Sequence, residues 1–124
     1  ASKRHEYIRW SEKADRFIIE SDYGSEFSVS SQPMETLFAL SHQDRVIYLN
    51  TFSKTISPSM RAGYMVLPRR LVTLFQQKLG FYSCSVPTFE QLVLTELLNS
   101  GDFERHINRE RRARRKALNS SAPH

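Results

Sequence analysis

The sequence predicts an α/β fold in which a small mixed sheet is flanked by helices. Two short apolar runs, residues 46–49 and 64–67, are bounded by polar and turn-forming residues, the pattern of buried strands. The segments after Pro68 and after Thr88 instead repeat their apolar residues at helical spacing. The connection over residues 51–61 holds no crossover helix, so the strands on either side of it can pair only antiparallel.

Taken in order, residues 2–15 read as an amphipathic helix with Tyr7, Trp10 and Ala14 on its buried face. Residues 16–20 form a first strand, which ends where Ser21, Asp22, Tyr23 and Gly24 break the apolar pattern. Residues 24–44 have little periodicity. Ser28, Ser30, Ser31, Gln32 and Pro33 mark a loop, and residues 34–40 a short helical turn with Leu37 and Leu40 buried. Residues 45–50 are the second strand and 62–67 the third. The long connection between the first two allows them to run parallel. Pro68 opens a helix through Leu79, with Leu71, Leu74 and Phe75 on one face and Gly80 as its C′ stop. After a loop over 81–86, Thr88 and Gln91 have capping-box spacing. Phe89, Leu92, Val93 and Leu97 make the buried stripe of the helix that follows. Asn99, Ser100 and Gly101 end it, and Asp102 caps a last helix whose large apolar residues are Phe103 and Ile107. Residues 117–124 read as a frayed or appended tail, which leaves 1–116 as the domain.

At 124 residues the chain is one domain or less, and 40% hydrophobic with 25% charged residues is a globular composition. No apolar run approaches the ~20 residues of a membrane span. The polar, basic N-terminus lacks the apolar stretch of a signal peptide. A cytoplasmic protein with no membrane partner is expected. The single cysteine, Cys84, excludes an internal disulfide and fits a reducing compartment. One cysteine and four scattered histidines offer no metal-ligand pair, so no metal is expected. The net charge of +5 is local: six basic residues lie within 109–116, offset there only by Glu110, and the rest of the chain holds twelve of each sign. Such a run is either a solvated helix face or a phosphate-binding footprint on nucleic acid. No aromatic residue stands between Ile107 and Lys116, so bases would find no stacking platform there.

The chemistry concentrates in residues 51–64, Thr-Phe-Ser-Lys-Thr-Ile-Ser-Pro-Ser-Met-Arg-Ala-Gly-Tyr, a loop entered from a central strand. Open α/β sheets bind ligands outside the carboxyl ends of their strands. A lysine desolvated there can lose its proton and attack a carbonyl as an amine. An arginine there offers a flat, permanently charged fork to a phosphate. Loops also carry such residues merely because they are wet, and the stretch alone does not decide between these readings.

The surrounding motifs do more. Thr51-Phe52-Ser53-Lys54 followed by Arg61-Ala62-Gly63-Tyr64 resembles the pyridoxal-phosphate lysine segment of aspartate-aminotransferase-like enzymes. The run Ile19-Glu20-Ser21-Asp22-Tyr23-Gly24-Ser25-Glu26-Phe27 is similar to the MocR/GabR-type regulators of the GntR family. So are Cys84-Ser85-Val86-Pro87-Thr88-Phe89-Glu90-Gln91 and Ser100-Gly101-Asp102-Phe103-Glu104-Arg105-His106-Ile107. These regulators join a helix-turn-helix DNA-binding domain to an aminotransferase-like domain. Arg61 follows Lys54 by seven residues, as in the regulators; the wider aminotransferase pattern spaces the pair one residue further apart. The resemblance runs from about Lys3 to Arg112.

The resemblance implies part of the large domain of the aspartate-aminotransferase-like fold, with pyridoxal 5'-phosphate as cofactor. Lys54 is the implied catalytic lysine, which forms the Schiff base. Asp22 would pair with the pyridine nitrogen and Tyr23 with the ring's phenolic oxygen. Ser53 and Arg61 would bind the phosphate. Ser21 departs from the common Glu-Asp-Asp-Tyr form, which leaves Glu20 as the competing carboxylate. The implied whole protein is a transcriptional regulator that binds DNA through a helix-turn-helix domain outside this chain. It would respond to an amino acid or a vitamer and form a homodimer or larger assembly. A piece of a true aminotransferase and a basic nucleic-acid-binding module are the alternative readings. The chain has no glycine-rich phosphate loop. By itself it is therefore expected to bind pyridoxal phosphate poorly and not to transaminate.

Overall fold

The computed structural model describes residues 3–22 and 35–120. Its elements are α1 (Lys3–Lys13), β1 (Ile18–Ser21), α2 (Leu37–Leu40), β2 (Val46–Thr51), β3 (Gly63–Val66), α3 (Arg69–Leu79), α4 (Thr88–Asn99) and α5 (Asp102–Ser120). The sheet order is β1-β2-β3. β1 and β2 run parallel, with Ile18 opposite Val46 and Ser21 opposite Leu49. The sheet is mixed, as the short connection between β2 and β3 predicts.

The described residues divide into two compact units. The first holds residues 3–22, 35–50 and 63–84, and so carries α1, β1, α2, most of β2, β3 and α3. Its core centres on Ile8 and Ser11 of α1 and Val46 of β2. α1 ends in a left-handed residue, Asp15 (φ 51°), and the Arg16 N–H reaches back to the Ser11 carbonyl at 3.0 Å. This is the closing bond of a Schellman motif, with Asp in the place glycine usually takes. The Asp15 carboxylate binds Arg45 and, at 3.4 Å, Arg70. The second unit holds residues 51–62 and 85–120, with α4 packed on α5 around Leu94 and Ile107. Gly101 joins these two helices at φ 75°, a conformation that favours glycine.

Several expected faces are corrected. In α1 the buried positions are Ile8 and Ser11, whereas Tyr7 and Trp10 are half exposed and Ala14 is exposed. Trp10 is covered instead by the Arg16 guanidinium, 4.5 Å from the ring centre. Leu37 and Leu40 are only half-buried, and α3 buries no residue: Leu74 and Phe75 remain exposed. In α4 the buried residue is Leu94, while Phe89 and Leu92 are exposed. The capping box does not form. Pro87 is the N-cap, and the Gln91 amide donates to the Val86 carbonyl at 2.8 Å. Gly80 is the C-cap of α3 in right-handed conformation rather than a left-handed C′ residue. α5 continues past Lys116 to Ser120, so residues 117–120 are helical. The expected loop of Ser28 to Pro33 and Met34 lie outside the described residues.

Candidate functional site

In the first unit, β1 and β2 bring polar side chains to one face near their carboxyl ends. Residues two apart in a strand share a face, so Glu20 and Asp22 form one pair, and Tyr48 and Asn50 the other. The Tyr48 hydroxyl donates to Asp22 Oδ2 at 2.7 Å and accepts from the Asn50 amide at 3.1 Å. The Asp22 N–H continues the ladder to the Leu49 carbonyl at 2.9 Å. Burial, and then the hydrogen bond to Asp22, hold the Tyr48 phenol in its protonated form well above its ordinary range; the Asn50 amide works against this. Tyr64 of β3 packs its ring 6.2 Å from that of Tyr48. The Glu20 carboxylate is engaged elsewhere. It accepts from the Leu37 N–H at 2.8 Å and the Phe38 N–H at 2.9 Å, and so satisfies the first amides of α2. Tyr23 lies outside the described residues.

In the second unit, residues 52–62 form a closed loop. The Phe52 N–H bonds the Ala62 carbonyl at 2.9 Å and ties the two ends together. The Ile56 N–H returns to the Phe52 carbonyl at 2.9 Å, giving a single helical turn around Lys54. The Lys54 side chain is exposed, while its neighbour Thr55 is 2% exposed. The Ser53 hydroxyl donates to the Met60 carbonyl at 2.9 Å and accepts from Arg61 Nη1 at 3.4 Å. The loop thus brings Ser53 and Arg61 together, with the Arg61 guanidinium exposed. From α5, His106 Nε2 lies 2.7 Å from the Thr55 carbonyl oxygen, and Phe103 meets Phe52 edge-on at 5.9 Å.

Sequence reading missed Tyr48, Asn50 and His106. A signal for the first two was present: they are the polar residues of an otherwise apolar run, two apart and so on one strand face. His106 stands three residues after Phe103 and beside buried Ile107, on the face of α5 that packs inward. The basic run within 109–116 lies along α5, where Arg109, Arg112, Arg114, Arg115 and Lys116 are exposed and Arg111 is half-buried.

No family model matches the chain. It is 38% identical over 115 residues to the uncharacterised HTH-type transcriptional regulator YdeL of Bacillus subtilis, covering 93% of this chain and 25% of that protein. It is 34% identical over 101 residues to the probable rhizopine catabolism regulatory protein MocR of Rhizobium meliloti, covering 82% and 20%. The chain is a homologue of MocR-type regulators. It spans about a quarter of the length of the curated relatives it matches. Its fold matches kynurenine aminotransferase from Pyrococcus horikoshii, in complex with PMP, at a TM-score of 0.77 and 30% identity over 88% of this chain and 27% of that one. It also matches the α-aminoadipate aminotransferase LysN from Thermus thermophilus, complexed with N-(5'-phosphopyridoxyl)-L-leucine, at 0.71 and 29% over 97% and 33%. The chain therefore has the fold of part of an aminotransferase-like domain. No helix among the described residues is long and apolar enough to cross a membrane.

Proposed function

We propose that this segment belongs to the pyridoxal-phosphate-binding effector domain of a DNA-binding regulator, with Lys54 as the lysine that holds the cofactor. The observation that carries the reading is the closed loop 52–62, in which the exposed residue Lys54 accompanies the paired hydroxyl and guanidinium of Ser53 and Arg61. Amine, guanidinium and hydroxyl are the donor set that a phosphorylated aldehyde requires.

Bound at this site, pyridoxal phosphate supplies an electron sink for amino-acid chemistry. Arg61 contributes permanent charge and a planar fork for the phosphate. Ser53 has one hydroxyl proton, which now goes to the Met60 carbonyl. To donate to a phosphate, the hydroxyl turns away from Met60. Asp22 is proposed as the partner of the pyridine nitrogen and Tyr23 as the partner of the ring's phenolic oxygen. In support, the competing Glu20 carboxylate is engaged by two α2 amides. Within the first unit, Tyr48 and Asn50 orient the Asp22 carboxylate and keep a proton donor directed at it.

The whole protein is proposed to bind DNA through a helix-turn-helix domain, to respond to an amino acid or a vitamer, and to act as a dimer in the cytoplasm. The HTH-type relatives support the first point. Titration of the full-length protein with pyridoxal phosphate, followed by borohydride reduction and peptide mapping, tests the central assignment. The label is expected on Lys54. Equal labelling of Lys3, Lys13, Lys78 and Lys116 would reject it. Similarity to aminotransferases favours a second reading, in which the domain also transaminates, and turnover of an amino acid by the full-length protein would establish it.

A further inference from the structure

We infer that His106 is a positioning residue for Lys54, acting through the backbone carbonyl of Thr55. The inference rests on the assignment of Lys54 as the cofactor lysine. Its basis is one face of α5, where Phe103 and His106 stand three residues apart and so lie side by side. Phe103 meets the ring of Phe52 edge-on at 5.9 Å and 82°. His106 Nε2 lies 2.7 Å from the Thr55 oxygen. Lys54 sits between those two gripped residues, inside the turn closed by the Ile56 N–H on the Phe52 carbonyl.

The chemistry of the contact is constrained. A carbonyl oxygen only accepts, so the imidazole donates from Nε2. Thr55 is 2% exposed, and water cannot readily replace a lost donor at a site so enclosed. Fixing the 55–56 peptide plane fixes the chain immediately after Lys54, because a peptide plane carries no torsion of its own. The backbone at Lys54 is thereby held while the residue stays exposed. Ile107, 7% exposed, anchors this stretch of α5 in its own unit, so the histidine is presented from a packed helix and not from a mobile one. This arrangement matches the general demand that a reactive group be held in place by neighbours whose own positions are locked.

The test uses the full-length protein and the variants His106→Ala, His106→Gln and His106→Asn, with Ile107→Val as a control that loosens α5 without touching the carbonyl. Hydrogen exchange of the peptide covering 52–61, measured without cofactor, is expected to rise by about tenfold in His106→Ala, the factor that loss of one hydrogen bond implies. The rate of borohydride-trapped labelling at Lys54 is expected to fall by a similar factor, with labelling at Lys78 unchanged. Gln carries an amide donor long enough to reach the carbonyl and is expected to restore both readouts; the shorter Asn is not. Ile107→Val is expected to lower the melting temperature while leaving the Lys54 rate unchanged. If Gln and Asn behave alike, or if Ile107→Val slows Lys54 as much as His106→Ala does, the positioning role is overturned. The same pair of variants decides the matter if His106→Ala does not fold. Wild-type label that avoids Lys54 overturns the cofactor assignment instead. Unchanged exchange in His106→Ala, with the wild-type label on Lys54, overturns this inference alone.

Discussion

The two polar clusters are held in opposite ways. In the first unit the strand ladder fixes the backbone, and side chains tie to each other: Asn50 to Tyr48, and Tyr48 to Asp22. In the second the chain between β2 and β3 has no ladder of its own along most of its length. Its fixed points are backbone atoms: Phe52 to Ala62, Ile56 to Phe52, and the Thr55 carbonyl to His106. A ladder leaves side chains available for tuning one another. A loop without one spends side chains, such as Ser53 on Met60, to hold its own backbone. The stability of the first cluster should therefore depend mainly on bonds between side chains, and that of the second mainly on bonds to its backbone atoms.

The largest effect that would sharpen this contrast is at Lys54. Lys54→Ala should abolish covalent cofactor uptake by the full-length protein, read by mass after borohydride reduction, while the melting temperature barely moves because the side chain is exposed. A persisting stoichiometric adduct would remove the second cluster from the chemistry. Next in size is Arg61→Lys. Charge is kept but the planar fork is lost, and cofactor affinity should drop by about tenfold, roughly the value of one charge-assisted hydrogen bond. Equilibrium dialysis measures it, and an unchanged affinity would show that Arg61 acts only as diffuse charge.

The contrast also explains what was legible in the sequence. Strands β1, β2 and β3 were readable to within two residues because short apolar runs between turn residues have few other solutions. The loop that carries Ser53, Lys54 and Arg61 was readable because polar and turn-forming residues separate the two strands on either side of it. The helix faces were not. α3 and α4 carry apolar residues that stay exposed within this chain, so periodicity located the helices but not what covers them. Phe89 and Leu92 were expected in the stripe that Leu94 fills. The capping box failed for a local reason: Pro87, fixed near helical φ, already ends the loop, and Gln91 turned to the Val86 carbonyl instead. His106 was invisible because its partner is a backbone carbonyl fifty-one residues away, which no spacing rule addresses.

The two carboxylates of β1 offer a sharper cut within the first unit. Glu20→Ala leaves the Leu37 and Phe38 amides without their acceptor and should cost about 1–2 kcal/mol of stability with little effect on cofactor affinity. Asp22→Asn should do the opposite, weakening the cofactor while the melting temperature changes less. Chemical denaturation together with cofactor titration separates them, and an exchange of the two phenotypes would make Glu20 the pyridine partner. Tyr48→Phe comes next, at about 1–2 kcal/mol for the two hydrogen bonds the hydroxyl makes to Asp22 and Asn50. Its pH dependence has a definite sign. The folded state favours the neutral phenol, so the Tyr48 contribution is complete below the ordinary tyrosine value of about 10 and is lost as pH climbs through the raised folded value. Wild-type stability should fall above about pH 10, and Tyr48→Phe should flatten that slope.

The smallest effect is expected away from both clusters, at Asp15. Its carboxylate is held below the usual range first by hydrogen bonding to Arg45 and then by the charge of that residue, with Arg70 adding less. A lowered value means the contribution is present above the unfolded carboxylate range and is lost as pH falls through the folded value. Because the side chain is 72% exposed, solvent and salt screen most of it. Asp15 also occupies the left-handed position that ends α1, so a poor choice of substitution would mix backbone strain with charge. Asparagine tolerates that conformation almost as well as aspartate and keeps the shape while removing the charge. Asp15→Asn should therefore make acid unfolding slightly less steep at low salt and indistinguishable from wild type at high salt. A difference that survives high salt would mean that the bridge to Arg45 and Arg70 orders this unit by geometry as well as by charge.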